Sequence, residues 1–213
     1  MQQDLSEENI RNNCPHCDIT SRAFEFILKE TKGFVIVHDA NPLEEGHLLI
    51  IPKKHLSCIG EYPISLLDEF KRIYYLLGNH LKNIYGSIAS FEHGITGQTV
   101  FHSHVHLLPF SGKPSSIVPE GEGYLRAISG IGDLPGIFEK EKKYLFFSIG
   151  DDNWTVDTSL GAPRFFRDRF AKALGVPERA NWKITQTNPA IRATMLEDVE
   201  RFKKKWGKIP IRF

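Results

Sequence analysis

Three histidines at alternate positions, His102, His104 and His106 in the run His102-Ser103-His104-Val105-His106-Leu107-Leu108-Pro109, are the densest chemistry in the sequence. In a strand, successive side chains alternate between faces, so the three imidazoles share one face while Ser103, Val105 and Leu107 take the other. Neighbouring imidazoles repel when protonated and waste burial when neutral, so stability alone gives little reason to group them. Two chemistries can use such a face. One is metal binding by several imidazoles, with a position left open for water. The other is nucleophilic attack on phosphorus by the central imidazole, its neighbours orienting it and handling protons. A second cluster, Cys14-Pro15-His16-Cys17, is a C-x-x-C pair suited to half of a zinc site or to a redox dithiol. The residues before Cys14 are polar and lack the strand that a thioredoxin-like redox pair follows, which puts zinc ahead.

The elements that must position these residues follow from hydrophobic pattern. Phe34-Val35-Ile36-Val37 and Leu48-Leu49-Ile50-Ile51 read as buried strands. The first ends at the turn-forming Asp39-Ala40-Asn41-Pro42 and the second at Pro52, and the short connection between them suits an antiparallel return. From Pro63 to Tyr85, Leu66, Leu67, Phe70, Ile73, Tyr74, Leu77 and Leu81 fall at helical spacing. Ser87 to Glu92 reads as a strand, Gly94 to Gly97 as a loop, and Val100 to Leu108 as the histidine strand. Ser21 to Thr31 is too mixed in period to type. Two strands, a long helix and two more strands predict an antiparallel α+β fold rather than a doubly wound one. Beyond Pro109 the texture changes. Ser111 to Gly123 reads as a linker or mobile loop, Tyr144 to Ile149 and Trp154 to Val156 as a hairpin, and Pro163 to Leu174 and Pro189 to Trp206 as helices.

Composition narrows the function classes. The chain has 213 residues, 41% hydrophobic and 25% charged, the balance of a soluble globular protein with a real core. Lys+Arg 27 against Asp+Glu 26 gives a net charge of +1, so no global field points to nucleic acid or a membrane surface. Apolar runs are too short to span a bilayer, and Met1 to Arg11 is too polar for a signal peptide, so the cytoplasm is the expected location. Three cysteines are too few for a secreted disulfide framework.

With these segments in view, the chain resembles the histidine triad (HIT) superfamily of nucleotide hydrolases and transferases. The matching text is His38-Asp39-Ala40-Asn41-Pro42, Gly46-His47 through Pro52-Lys53-Lys54-His55, and Gly97-Gln98-Thr99 through Pro109. The resemblance covers about residues 10 to 110. It implies a HIT-like catalytic core over 1–110, with 111–213 as a hairpin-and-helix extension packed on or near it. It makes His104 the nucleophile, forming a nucleotidyl-histidine at the α-phosphorus of an ester, anhydride or phosphoramidate. His102 and His106 are its catalytic neighbours. Gln98, Thr99 and His106 take phosphate-contact positions, Asp39 that of a ribose-binding acid, and Asn41 falls in the same substrate-binding segment. The resemblance also implies a structural zinc on Cys14, Cys17, His55 and His102, a closed set that leaves no catalytic position, and a homodimer that joins two sheets. The alternative is a non-enzymatic nucleotide- or partner-binding protein on the same fold.

Some residues depart from the pattern or lie outside it. Phe91-Glu92-His93-Gly94 stands where many members carry an asparagine before the glycine loop. Glu92 and His93 can form an acid/base pair, but a solvated loop is the expectation, since loops are usually polar. His47 is expected to face inward, hydrogen-bonded behind the triad. Arg164, Arg167, Arg169 and Lys172 form a basic face on one helix, expected to be solvated, with a phosphate or leaving-group clamp over the triad as the functional alternative. Trp154, Trp182 and Trp206 are expected to be core anchors.

Overall fold

The structure, a computed structural model, describes residues 11 and 13–206; the polar start of the chain and its last seven residues lie outside the described residues. The elements in chain order are β1 (Ile27–Glu30), β2 (Phe34–His38), β3 (Leu48–Pro52), α1 (Ile64–Tyr85), β4 (Ile88–Gly94), β5 (Val105–Pro109), α2 (Pro114–Ile117), β6 (Leu125–Ile128), α3 (Leu134–Glu141), β7 (Tyr144–Ile149), β8 (Asp152–Val156), α4 (Phe165–Ala173), α5 (Trp182–Thr185) and α6 (Pro189–Trp206). The strands form one 8-stranded sheet in the order β1-β2-β3-β5-β4-β7-β8-β6. Every ladder in it is antiparallel, as the α+β reading requires.

Strand parity divides the core between the two faces of the sheet. Phe34, Ile36, Leu48, Ile50, Val105, Leu107 and Phe146 pack with Phe70, Ile73, Leu77 and Leu81 of α1. On the other face Ala89, Phe91, Leu108, Leu145 and Phe147 pack with Phe165, Phe166 and Phe170 of α4. The second face of β2 and β3 is covered by Phe24, which packs with Val35, Val37, Leu49 and Ile51, so both strands read as unbroken apolar runs. The α1 stripe is the amphipathic pattern of the sequence, and the helix ends at Gly86, whose φ of 86° closes it with an N–H to the Lys82 carbonyl.

Three expectations are corrected. The histidine strand begins at Val105, not Val100. Its partner β3 ends at Pro52, and the Pro52 carbonyl accepts from His102 Nε2 at 2.8 Å, so the ladder stops and residues 101–104 run on as an irregular extended approach. Glu92 and His93 are not in a solvated loop: they lie inside β4, 1% and 7% exposed, because β7 pairs with β4 through Glu92↔Phe146 and His93↔Leu145. Ser111 to Gly123 is a packed segment. Its turn α2 buries Ile117 and Val118 against α4, and Arg169 reaches back to the Ile117 carbonyl and to Glu120. Ser21 to Thr31, whose sequence period is mixed, forms a 3-10 turn at Arg22–Phe24 followed by β1.

Candidate active site and metal centre

The alternation expected of the triad survives although its first members precede the strand. His104 and His106 line a cavity of about 180 Å³ on the α4 face, while the Ser103 side chain points to the α1 face. His102 diverges toward the cysteines.

The tautomers follow from the hydrogen bonds. His104 Nδ1 lies 2.7 Å from the His102 carbonyl, which can only accept, so Nδ1 carries the proton and Nε2 carries the lone pair. Behind it runs a relay. Leu43 N–H donates to His47 Nδ1 at 3.1 Å, so neutral His47 holds its proton on Nε2 and donates it to His106 Nδ1 at 2.9 Å. His106 must then carry its own proton on Nε2, the remaining ring nitrogen. Burial pushes the pKa of His47 down to about 3 and lowers those of His104 and His106, so the relay stays neutral. The His106 ring stacks on Phe91 at 4.1 Å, and Phe91 stacks on Phe170 of α4.

Two clusters of potential metal ligands occur among the described residues: Cys14, Cys17, His55 and His102, and Asp39, His47 and His106. In the first, the Sγ to Nδ1 separations are 3.5 Å for Cys14–His102, 3.2 Å for Cys17–His55 and 3.5 Å for Cys17–His102. A tetrahedral ion with bonds of about 2.3 Å to sulfur and 2.0 Å to nitrogen sets such edges at about 3.5 Å. His102 gives its Nε2 proton to Pro52, which leaves the Nδ1 lone pair facing the sulfurs, the outer bond that orients a ligating imidazole. The residues fit a closed metal centre. The second cluster is the relay itself, and its 2.9 Å nitrogen pair is a hydrogen bond.

Of the substrate-contact positions, Asp39, Asn41 and Thr99 line the cavity. Gln98 does not: its Nε2 donates to the Ser57 carbonyl at 2.6 Å. Asp39 is largely committed, with Oδ1 accepting from Asn41 N and Oδ2 from Arg167 Nη1 at 2.9 Å.

Arg167 corrects the expectation of a solvated basic face. It is 7% exposed, and it also donates to the carbonyls of Asn41 and Ala180. Arg164 lines the same cavity, Arg169 pairs with Glu120, and Lys172 is exposed. Burial alone would raise the Asp39 carboxyl; Arg167, His47 and the Asn41 N–H outweigh it and hold the group well below the usual carboxylate range. Arg167→Ala leaves that carboxylate buried without its cation, and should cost roughly 3–5 kcal/mol in denaturant unfolding.

Residues 161–167 approach the glycine loop closely. The Arg164 N–H donates to the Gly97 carbonyl, the Phe166 N–H donates to His93 Nε2, and a Cβ on Gly97 would meet the Ala162 carbonyl at 2.3 Å with φ at +74°. Only glycine fits there. Of the tryptophans, Trp154 stacks on Phe147 and Trp206 packs on Phe202, but Trp182 lines the cavity with Gln186.

The sequence reading missed the support under Ser103. Glu92 Oε1 accepts from Ser103 Oγ at 2.6 Å and from Ile59 N at 3.1 Å, Oε2 accepts from Tyr144 Oη, and Tyr62 Oη meets Ser103 Oγ at 2.7 Å. This network grips the peptide between His102 and His104 from the α1 face. Burial pushes Glu92 up to about 7 despite these donors. Between its ordinary value of about 4.5 and 7 the folded chain therefore holds a proton that the unfolded chain has lost, and stability falls as pH rises. Glu92→Gln should remove this dependence. Relative to the variant, wild type should lose about 3 kcal/mol between pH 4.5 and 7.5, read from urea midpoints. Parallel midpoints at the two pH values would refute the assignment.

A family model described as "HIT domain" matches residues 21–112. An uncharacterised HIT-like protein of Mycoplasma genitalium is 34% identical over 110 residues, covering 48% of this chain and 77% of its own length. Adenosine 5'-monophosphoramidase HINT3 of Danio rerio is 33% identical over 117 residues, 51% of this chain and 72% of that protein. Adenylylsulfatase HINT3 of Arabidopsis thaliana is 29% identical over 110 residues, 49% of this chain and 56% of the plant protein. Among solved structures, a hypothetical histidine triad nucleotide-binding protein from Sulfolobus tokodaii is 30% identical, covering 47% of this chain and 71% of that one with a TM-score of 0.40.

Proposed function

The chain belongs to the HIT family, and from that premise we propose that it is a nucleotide hydrolase or nucleotidyltransferase working through a nucleotidyl-His104 intermediate. The observation that carries this reading is the His104 imidazole, whose Nδ1–H is tied to the His102 carbonyl and whose Nε2 lone pair is left for a substrate in the cavity it lines. In the first step Nε2 forms a bond to the α-phosphorus as the bond to the leaving oxygen or nitrogen breaks. The imidazole becomes cationic, and its Nδ1–H bond to the carbonyl strengthens with the charge. The His106 Nε2–H supplies a donor to a phosphoryl oxygen or a proton to the leaving atom, with His47 behind it. In the second step water, or a phosphate-bearing acceptor, displaces His104 and yields the nucleoside monophosphate or its transfer product. Relatives named for an adenosine monophosphoramidase and an adenylylsulfatase support an adenylyl group as the part transferred.

Thr99 and Asn41, which line the cavity, would meet the nucleotide. Asp39 would offer ribose only the acceptor capacity that Arg167 and Asn41 leave. Arg164 and Trp182 would face the base or leaving group, a contribution of the extension. Cys14, Cys17, His55 and His102 would hold a zinc ion. Bound there, the ion supplies a brace for the approach to the triad, with no open position for water. A homodimer joined through the sheet would use β1 or β6, because β4 and β5 have partners on both sides. No helix among the described residues is long and apolar enough to cross a membrane.

The test is denaturing intact-mass spectrometry after rapid mixing with a panel of nucleotide esters, anhydrides and phosphoramidates. A nucleotidyl mass on the chain, with matching product release, is expected. Binding without adduct or turnover across the panel would favour the non-enzymatic alternative.

A further inference from the structure

The cavity beside His104 has a histidine for which the relay has no use. His16 stands between the two cysteines of the 14–17 loop, lines the cavity and is 7% exposed. Its ring centre lies 4.8 Å from that of His104, nearly perpendicular to it, and 5.6 Å from that of His102. His106 stands 5.2 Å from His104, so two imidazoles flank the one that carries the lone pair. His16 Nδ1 is buried with no hydrogen-bond partner among the described residues. An unpaired buried polar atom is destabilising, and an apolar ring would pack against Phe24 and His104 without that penalty. A C-x-x-C loop needs a tight turn between its ligands but nothing polar at this position. The ring lines the same cavity as His104, edge to face with it.

We propose that His16 is a substrate-contacting residue, donating an N–H to a non-bridging oxygen of the phosphoryl group at His104, on the side away from His106. The assignment rests on the phosphoryl-transfer reading above. A neutral imidazole always carries one N–H, so the contact requires no change of protonation. Donors aimed at phosphoryl oxygens matter most as charge develops there, and removing one typically lowers turnover by about 10²–10³-fold. The loop that bears the two cysteine ligands would thus also deliver a binding group, so bracing and recognition share four residues.

Two variants test this. His16→Phe keeps a ring of similar size and removes the N–H, whereas His16→Gln offers an amide N–H at similar reach. Metal content and thermal midpoint are measured for both, and rates are compared at equal metal loading. With adenosine 5'-phosphoramidate, His16→Phe should lose about 100-fold in kcat, and His16→Gln should recover at least about tenfold of that. The two diastereomers of the phosphorothioate analogue should react at different rates in wild type, and the ratio should collapse in His16→Phe. Wild-type kcat and an unchanged diastereomer ratio in His16→Phe would overturn the proposal, as would a loss that tracks metal content alone. Titration with AMP separates this from failure of the underlying reading. Weaker AMP binding by His16→Phe, in a protein that forms no adduct, would keep the contact and reject the chemistry. Equal AMP affinity with wild-type turnover would reject the contact and keep the chemistry, and no AMP binding by wild type would reject both.

Discussion

His104→Ala should fold, bind its metal and lose the covalent intermediate altogether, with kcat/KM falling by about 10⁴-fold or more. The ring is partly exposed at the cavity, and its one bond, to the His102 carbonyl, does not belong to the β5 ladder. Its removal therefore disturbs little of the core. What disappears is a cavity-lining imidazole whose Nε2 lone pair is left free by its Nδ1–H bond to the backbone. His106 cannot replace it, because the Leu43–His47–His106 relay commits His106 Nδ1 as acceptor and Nε2 as donor. His106→Phe should accordingly keep a slow, detectable adduct while turnover falls by about 10²–10³-fold. Intact-mass spectra after rapid mixing decide both cases, with circular dichroism and metal content as controls. An adduct in His104→Ala would refute the nucleophile assignment.

How far the sequence could be read depended on whether the decisive partner was local. The α1 stripe, the apolar runs of β2 and β3, and α6 over Pro189–Trp206 carry their own periodicity, and they stand where the pattern put them. The common face of His104 and His106 was legible for the same reason, since parity needs only two neighbours. Glu92 was misread because its burial is set by β7, which pairs with β4 from more than fifty residues away, and by Tyr144 Oη. Short-range polarity around Gly94 and Gly97 pointed the other way. Arg167 was misread because its partner Asp39 is 128 residues distant in sequence. One local signal was available: Arg167 sits within the buried stripe Phe165, Phe166, Phe170 and Ala171 of α4. A charge inside an apolar stripe has to find an opposite charge or a row of acceptors, and Arg167 finds both.

The extension is thus part of the site's construction. β7 fixes β4 and with it Glu92 and His93, while α4 supplies Phe170 under the Phe91–His106 stack and Arg167 to Asp39. The family match ends at residue 112, so these contacts arise from sequence beyond it. A change at Arg167 or Phe170 should act on the histidines through packing as well as charge.

Metal removal should have the largest effect on stability. The purified protein is expected to carry about one zinc per chain, and Cys17→Ser, or exhaustive chelation, should lower stability by about 5 kcal/mol and the thermal midpoint by roughly 10–20 °C. Cys14 and Cys17 sit in a half-exposed loop with little apolar burial of its own, and His55 and His102 come from segments 38 and 85 residues further along than Cys17. One ion would tie the 14–17 loop to the segments that follow β3 and precede β5. Pro52 and the Ser103 bonds to Leu56, Tyr62 and Glu92 hold the approach to the triad otherwise. These remaining bonds predict the order of events: stability should fall first, and activity should fall as the His102 carbonyl loses its fixed direction toward His104. Apolar burial around α1 and α4 is independent of the cluster, so the apo chain should stay folded at room temperature. Elemental analysis of the purified chain, paired with thermal melts before and after chelation, measures all of this. A metal-free protein with an unshifted midpoint would remove the brace from the description.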